Sequence, residues 1–253
     1  MSKDIDEAGR ELASARREGR LLPTLADSLV PDLEHAYRVQ QAAVSAFDAR
    51  RVGFKLGATG TDSQAKLGVS GPFHAPLFEP LCLPSGSTLA RPPGLRGVEV
   101  ELAFRIGRDL PARQGGYRPE EIKDAVTSLH PALEVVATRE DRTGLEGLHA
   151  VADFGLNAAF VHGAAIDGWR EIDLPNVSAR CLVDGQPLAE GKAEAVLGSP
   201  LLALAWLTAQ GIALSAGDWV STGTLTGITP AGPGQRVTGD FGPLGTVELQ
   251  FTA

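Results

Sequence analysis

Val98-Glu99-Val100-Glu101-Leu102-Ala103-Phe104 alternates apolar residues with everything else. In an extended strand Val98, Val100, Leu102, Phe104 and Ile106 share one face, and Glu99, Glu101, Ala103 and Arg105 share the other. Two carboxylates two residues apart on a strand have Cα atoms roughly 6.5–7 Å apart. Side chains of that length either point into solvent as ordinary surface glutamates or converge on one hard cation, whose oxygen ligands sit at roughly 2.0–2.2 Å for a magnesium-like ion.

A second acidic signal lies downstream. Pro131-Ala132-Leu133-Glu134-Val135-Val136 reads as an apolar strand broken by one glutamate. Ala132 and Val136 flank Glu134 on its own face, where a carboxylate is costly unless paired or bound to a metal. Upstream, Arg51-Val52-Gly53-Phe54-Lys55-Leu56-Gly57 reads as a strand whose glycines permit close backbone approach or positive φ. Lys55 sits between Phe54 and Leu56, either on the solvent face of a half-buried strand or aimed into a cleft.

Around these stretches the chain reads as α+β. An amphipathic helix over 3–17 places Ile5, Ala8, Leu12 and Ala15 on one stripe. A second helix over about 32–50 places Leu33, Ala36, Tyr37, Gln40, Val44 and Phe47 on one face. Gln40 on that stripe is half exposed or makes a buried hydrogen bond near a site. A short helix over Thr61 to Leu67, a strand at Leu77-Phe78-Glu79 and a helix over about 119–129 opened by Pro119 follow. Further strands are expected at 157–163, 177–183, 218–222 and 246–250, and Gly223-Thr224-Leu225-Thr226-Gly227 reads as a hydroxyl-rich turn. Leu201 to Gln210 has no polar face and is expected to be buried. The reading is one catalytic domain over 1–253, helical to about residue 50 and β-rich beyond it.

Composition narrows the function. A net charge of −8 argues against nucleic acid or an anionic membrane surface as the main partner. There is no run of about 18 apolar residues to span a membrane, and the charged start Ser2-Lys3-Asp4-Ile5-Asp6-Glu7 does not read as a signal peptide. Cys82 and Cys181 make no disulfide framework and suit a reducing compartment, so a cytoplasmic location is expected. The histidines His35, His74, His130, His149 and His162 are scattered.

Taken in order, Gly53-Phe54-Lys55-Leu56-Gly57, Glu99-Val100-Glu101-Leu102-Ala103-Phe104, Pro131-Ala132-Leu133-Glu134-Val135, Gly217-Asp218-Trp219-Val220 and Gly223-Thr224 resemble the 2-keto-4-pentenoate hydratase and 4-oxalocrotonate decarboxylase family of the fumarylacetoacetate hydrolase superfamily. Ala36-Tyr37 and Gln40 are similar to its early helix, and the resemblance covers about residues 30–252. It implies a fumarylacetoacetate hydrolase-like mixed β-sandwich roll with flanking helices, a Mg²⁺ or Mn²⁺ cofactor, a small 2-oxo acid substrate and a homo-oligomer. By the resemblance Glu99, Glu101 and Glu134 are metal ligands, Lys55 is catalytic and touches substrate, Thr224 and Asp153 are substrate-side residues, and Glu79, near an acidic position beside the pocket, is the second catalytic candidate, to move a proton or orient the water.

Three departures stand out, one of them the absence of the glycine usual just before the early helix. The family's aspartate three residues after the third metal glutamate is Ala137 here, and its Asp-Asn-Ala-Ser-like segment is Asp153-Phe154-Gly155-Leu156-Asn157, which keeps the aspartate and loses the serine. The implied reaction is hydration of 2-hydroxypenta-2,4-dienoate to 4-hydroxy-2-oxopentanoate. Decarboxylation of 2-oxohex-3-enedioate is the alternative, and an inactive partner subunit is a further one. Hydrolysis of a carbon–carbon bond would want a water-activating histidine, for which His74 is the nearest candidate. A lysine buried beside a cation would have its pKa lowered toward proton transfer.

Overall fold

The structure, a computed structural model, describes residues 2–144 and 147–253. Helices α1 (Ser2–Glu18) and α2 (Leu33–Phe47) precede the strands. Strand β1 (Arg51–Gly57), helix α3 (Thr61–Leu67) and strands β2 (Phe73–Phe78), β3 (Cys82–Pro84), β4 (Ser87–Leu89) and β5 (Leu95–Ile106) follow. Helix α4 (Pro119–Ala125) runs into β6 (Val126–Ala137), and helix α5 (Gly147–Ala152) precedes β7 (Asn157–His162). Strands β8 (Ser178–Val183) and β9 (Gln186–Lys192), helix α6 (Pro200–Ala209) and strands β10 (Trp219–Thr224), β11 (Arg236–Asp240) and β12 (Thr246–Phe251) complete the order.

The strands form two sheets. One has seven strands in the order β2-β1-β10-β5-β6-β7-β3, and the other has five in the order β4-β12-β11-β8-β9. Pairing is antiparallel except for β1 with β10, β3 with β7 and β4 with β12. The expected alternation of β5 holds: Val98, Val100, Leu102, Phe104 and Ile106 lie in one core with Leu133, Val135, Val237, Val247 and Leu249. Gly239 of β11 lies close enough to Val100 and Leu133 that an added Cβ would sit 3.1–3.2 Å from them, which marks how tightly the two sheets pack.

Helices α1 and α2 pair on each other and on one end of the larger sheet. Ile5, Ala8, Leu12 and Ala15 are buried as the stripe requires, together with Ala36, Val39, Ala43, Phe78 and Phe154. Gln40 is buried, and its Nε2 donates to the carbonyls of His74 (3.2 Å) and Val151 (2.7 Å), tying α2 to β2 and α5.

Three expectations are corrected. The helix expected over 119–129 ends at Ala125, and Val126–Leu129 belong to β6. Ile122, Ala125, Val126 and Leu129 fit a helical stripe, but Val126 is already extended and its β-branched side chain suits the sheet. Helix α6 is apolar all round yet only partly buried. Ala203, Leu204 and Leu207 face the core, while Leu202 is 43% exposed. Protein surfaces retain much apolar area, so an all-apolar segment need not be covered on every side. Thr224 ends β10 rather than sitting inside the following turn.

Candidate metal and active site

The face of the larger sheet opposite the sandwich core gathers the chemistry. Register places Glu99 directly across from Glu134, Glu101 across from Thr224, and Lys55 across from Ser221. Neighbouring strands lie about 4.8 Å apart, and the long side chains of Lys55 on β1, the acids of β5 and Glu134 of β6 meet across the three ladders β1–β10, β10–β5 and β5–β6. One carboxylate oxygen from each of Glu99, Glu101 and Glu134 lies within 4.8 Å of the others. Glu101 and Glu134 are fully buried at 0% exposure, and Glu99 is part-buried at the mouth.

Each buried acid is held by one oxygen. Glu101 Oε2 accepts from Ser221 Oγ (2.5 Å) and from the Gly223 amide (3.1 Å). Glu134 Oε1 accepts from Asn157 Nδ2 (3.0 Å). Lys55 Nζ lies 3.0 Å from Glu134 Oε2 and donates to the Gly155 carbonyl (3.0 Å). Glu101 Oε1 and Glu134 Oε2 are buried with no hydrogen-bond donor aligned on them. Gly223 is required where it stands. Its φ is +109°, and a Cβ there would lie 2.0 Å from Thr59 Oγ1.

The electrostatics are adverse for the cluster alone. Like charges directly opposite on a sheet repel. Burial, then Glu134, pushes the Glu99 carboxyl up to about 7. Burial, then Glu134 and Glu99, raises Glu101 well above the usual carboxylate range. For Lys55 burial is the largest influence and acts downward, but the attraction of Glu134, Glu99 and Glu101 together outweighs it and the net direction is upward. The expected lowering of the Lys55 pKa is therefore corrected for the protein alone. Three carboxylates and one ammonium sum to a charge of minus two, which a divalent cation would cancel. Glu101 Oε1, which has no hydrogen-bond partner, Glu134 Oε2, which meets only the Lys55 ammonium, and the part-buried Glu99 fit such an ion by donor type and number.

The other sequence-derived candidates lie differently. Thr224 borders Glu101 in register, and its Oγ1 accepts from the Gly227 amide (2.8 Å). Asp153 is buried, and its partners lie outside the acid cluster. Its Oδ1 accepts from Arg139 Nε (2.5 Å), and its Oδ2 accepts from the Arg139 amide (2.6 Å) and Thr138 Oγ1 (3.1 Å). Both oxygens are spent on the protein, so a substrate-binding role for Asp153 is corrected to one of holding the 153–157 turn. Glu79 is corrected too. It follows the end of β2, its side chain is 56% exposed, and it pairs with Arg50. His74 lies on β2 beside Leu56 rather than Lys55, so it faces away from the acids.

Residues that sequence reasoning missed are the partners: Ser221, Asn157, the Gly223 amide and the Gly155 carbonyl. The unusual segment Asp153-Phe154-Gly155-Leu156-Asn157 was a signal for the last of these. Phe154, Gly155 and Leu156 all have positive φ, at 52°, 62° and 60°, a costly run for two bulky residues. That left-handed turn aims the Gly155 carbonyl at Lys55.

A seven-stranded sheet packed on a five-stranded one, with three convergent acids on its outer face, defines a fold class shared with solved structures. The decarboxylase of 4-oxalocrotonate from Pseudomonas putida G7, complexed with magnesium and adipate, superposes with a TM-score of 0.88 at 23% identity, covering 99% of this chain and 98% of that one. Fumarylpyruvate hydrolase from Pseudomonas aeruginosa, in complex with Mn²⁺ and pyruvate, superposes with a TM-score of 0.61 at 20% identity, covering 81% of this chain and 90% of that one. These likenesses establish the fold. The chain belongs to the fumarylacetoacetate (FAA) hydrolase C-terminal family, whose profile matches residues 75–252. The 2-keto-4-pentenoate hydratase of Paraburkholderia xenovorans (strain LB400) is 30% identical, covering 97% of this chain and 94% of that protein. The 2-hydroxyhexa-2,4-dienoate hydratase of Comamonas testosteroni is 30% identical, covering 98% of this chain and 97% of that protein. With full-length relatives of this kind the chain is an enzyme of the carbon–oxygen lyase class. No helix among the described residues is long and apolar enough to cross a membrane.

Proposed function

We propose that this chain is a divalent-metal-dependent hydratase acting on 2-hydroxypenta-2,4-dienoate or a close homologue, with Mg²⁺ or Mn²⁺ held by Glu99, Glu101 and Glu134. The observation that carries the reading is the convergence of three carboxylates on buried ground, where Glu101 Oε1 has no hydrogen-bond partner and Glu134 Oε2 meets only the Lys55 ammonium at 3.0 Å. A surface cluster would leave such oxygens to water. A purely structural cluster would pair them.

The reaction adds one water overall: the 2-hydroxy group gives up its proton and becomes a keto group, a proton arrives at C5, and water then adds across C3–C4 with its hydroxyl at C4 and its proton at C3, giving 4-hydroxy-2-oxopentanoate. A bound divalent ion supplies Lewis acidity toward the carboxylate and 2-oxygen of such a substrate. Ser221 and the Gly223 amide orient Glu101, and Asn157 orients Glu134, so the two acids stay ordered before substrate arrives. Lys55 Nζ holds a proton beside the acids, fixed by the Gly155 carbonyl. It is positioned to neutralise negative charge developing on the substrate oxygens and to exchange that proton. Thr224, at the edge of the cluster, offers its hydroxyl to the carboxylate end of the substrate.

The test is a panel of 2-hydroxypenta-2,4-dienoate, 2-hydroxyhexa-2,4-dienoate and 2-oxohex-3-enedioate, followed by ultraviolet absorbance with and without added Mn²⁺. Metal-dependent loss of a dienoate with formation of the 4-hydroxy-2-oxo acid is expected. Carbon dioxide release from the dicarboxylate as the main activity would replace this reading with the decarboxylase. Metal binding without turnover of any of the three would favour a partner subunit. Replacing Lys55 by Met is expected to cut turnover by roughly 10²–10⁴-fold while Mn²⁺ affinity is retained or tightened, because a neighbouring positive charge is removed.

A further inference from the structure

Arg16 follows the buried stripe of α1, one turn beyond Leu12 and adjacent to Ala15. A long cation at that edge would ordinarily reach back into solvent. It does the opposite here. Its guanidinium carbon lies 4.6 Å from the ring centre of Phe154, 5.2 Å from Phe47 and 5.4 Å from Phe78. Inside this aromatic box Nε and Nη1 are buried with no hydrogen-bond partner. Nη2 donates to Asn157 Oδ1 at 3.2 Å. Unpartnered guanidinium N–H groups are costly to bury. An apolar side chain of similar length would fill the same box without that cost, so packing does not explain the residue.

The amide it touches does explain it. The Asn157 carboxamide is used at both ends, with Oδ1 accepting from Arg16 and Nδ2 donating to Glu134 Oε1 at 3.0 Å. A carboxamide can rotate by half a turn and exchange these ends. The rotated form would set an oxygen against the Glu134 carboxylate. A cationic donor that accepts nothing holds the oxygen on its own side. The main chain of Asn157 is secured independently, because its carbonyl accepts from Arg139 Nη1 at 2.8 Å. Arg16 therefore acts on the side-chain amide and not on the path of the turn.

We propose that Arg16 is a positioning residue for the carboxylate cluster: through the Asn157 amide it holds Glu134 Oε1 and leaves Oε2 facing Lys55 and the neighbouring acids. Helix α1 thereby becomes part of the site although none of its residues is in the acid cluster. The inference rests on the divalent-ion reading above.

The test is a double-mutant cycle in the full-length protein: wild type, R16M, N157A and R16M/N157A. The readouts are Mn²⁺ affinity, from the electron paramagnetic resonance signal of free Mn²⁺, and thermal melting without metal. R16M is expected to weaken Mn²⁺ binding roughly tenfold, within the range for partners of metal ligands, with a melting temperature equal to or above wild type because Met suits the aromatic box. The double variant is expected to bind no more weakly than N157A alone. Mn²⁺ affinity in R16M equal to wild type overturns the proposal, as does a loss in the double variant equal to the product of the two single losses. If R16M fails to fold, N157A still decides, because affinity in N157A equal to wild type overturns the proposal by itself. Wild type that binds no Mn²⁺ defeats the metal reading instead, so the two failures are distinct.

Discussion

Two groups of buried charge, one around Asp153 in the turn after α5 and one on the paired strands β5 and β6, are built on opposite terms. Around Asp153 every carboxylate oxygen has its donors: Arg139 supplies its amide and Nε, and Thr138 its hydroxyl. Arg139 spends Nη1 and Nη2 on the carbonyls of Asn157 and Asp153. Around Glu101 and Glu134 the donors stop short: Glu101 Oε1 has no hydrogen-bond partner, and one ammonium, that of Lys55 against Glu134 Oε2, stands against three carboxyl groups close together. A closed network makes a turn rigid. An open one holds unfavourable energy that a ligand of the right charge can relieve. The difference, more than burial or the number of acids, separates the part that holds shape from the part that binds.

Substitutions that break this contrast should give effects of decreasing size. Glu101→Gln is expected to bring metal-dependent turnover and Mn²⁺ binding down to background, while the metal-free protein melts at the same temperature or higher, because an amide of the same shape has no charge to bury beside Glu134 and Glu99. Activity near wild type at saturating metal would remove Glu101 from the site. Asp153→Ala breaks the closed network and leaves the Arg139 guanidinium buried without its carboxylate, at a cost of about 3–5 kcal/mol in urea unfolding. A loss under about 1 kcal/mol would show that the network is not closed in solution.

A half-buried titratable group, the ring of His74, resolves the same problem by staying neutral. His74 stacks on Tyr37 with ring centres 4.8 Å apart, and burial lowers its pKa from 6.5 to about 4. Between those values the unfolded chain takes up a proton that the folded chain refuses. Its contribution to stability is thus complete above about pH 6.5 and is lost as pH falls toward 4. In His74→Phe the drop in melting temperature between pH 7 and pH 5 should be smaller than in wild type. An identical drop would mean that the ring is protonated in the folded protein. The smallest effect is expected at the surface: Glu79→Gln removes an exposed pair with Arg50 and should alter stability by no more than about 0.5 kcal/mol, with turnover unchanged. A large fall in turnover would restore Glu79 to the active site.

Much of the core was legible because it depends on local alternation. The two-residue period of β5 separates Val98, Val100 and Leu102 from Glu99 and Glu101 wherever the strand pairs, and the apolar neighbours of Glu134 on its own face already marked it as a costly carboxylate. The end of α4 was less legible because Val126 and Leu129 satisfy both periods, and only pairing with Ile106 and Phe104 on β5 makes them strand residues. Glu79 and Asp153 were misplaced for a common reason. Position in a motif brings a residue near a site without saying which way its side chain leaves the chain, and these two turn to Arg50 and Arg139.

The sequence by itself determined the alternating strands, the amphipathic α1 and α2, and the identity of the acids and lysine that face away from the sandwich core, since each follows from side-chain geometry within one segment. Only the tertiary structure decided that Glu99 stands opposite Glu134, that Ser221 and Gly223 hold one oxygen of Glu101 and leave the other without a donor, that Asn157 and Lys55 take one oxygen each of Glu134, and that Arg16 reaches in from α1. Those facts depend on strand register and on hydrogen bonds between residues far apart in the chain, and no local pattern encodes how donors and acceptors will be matched once the chain has closed.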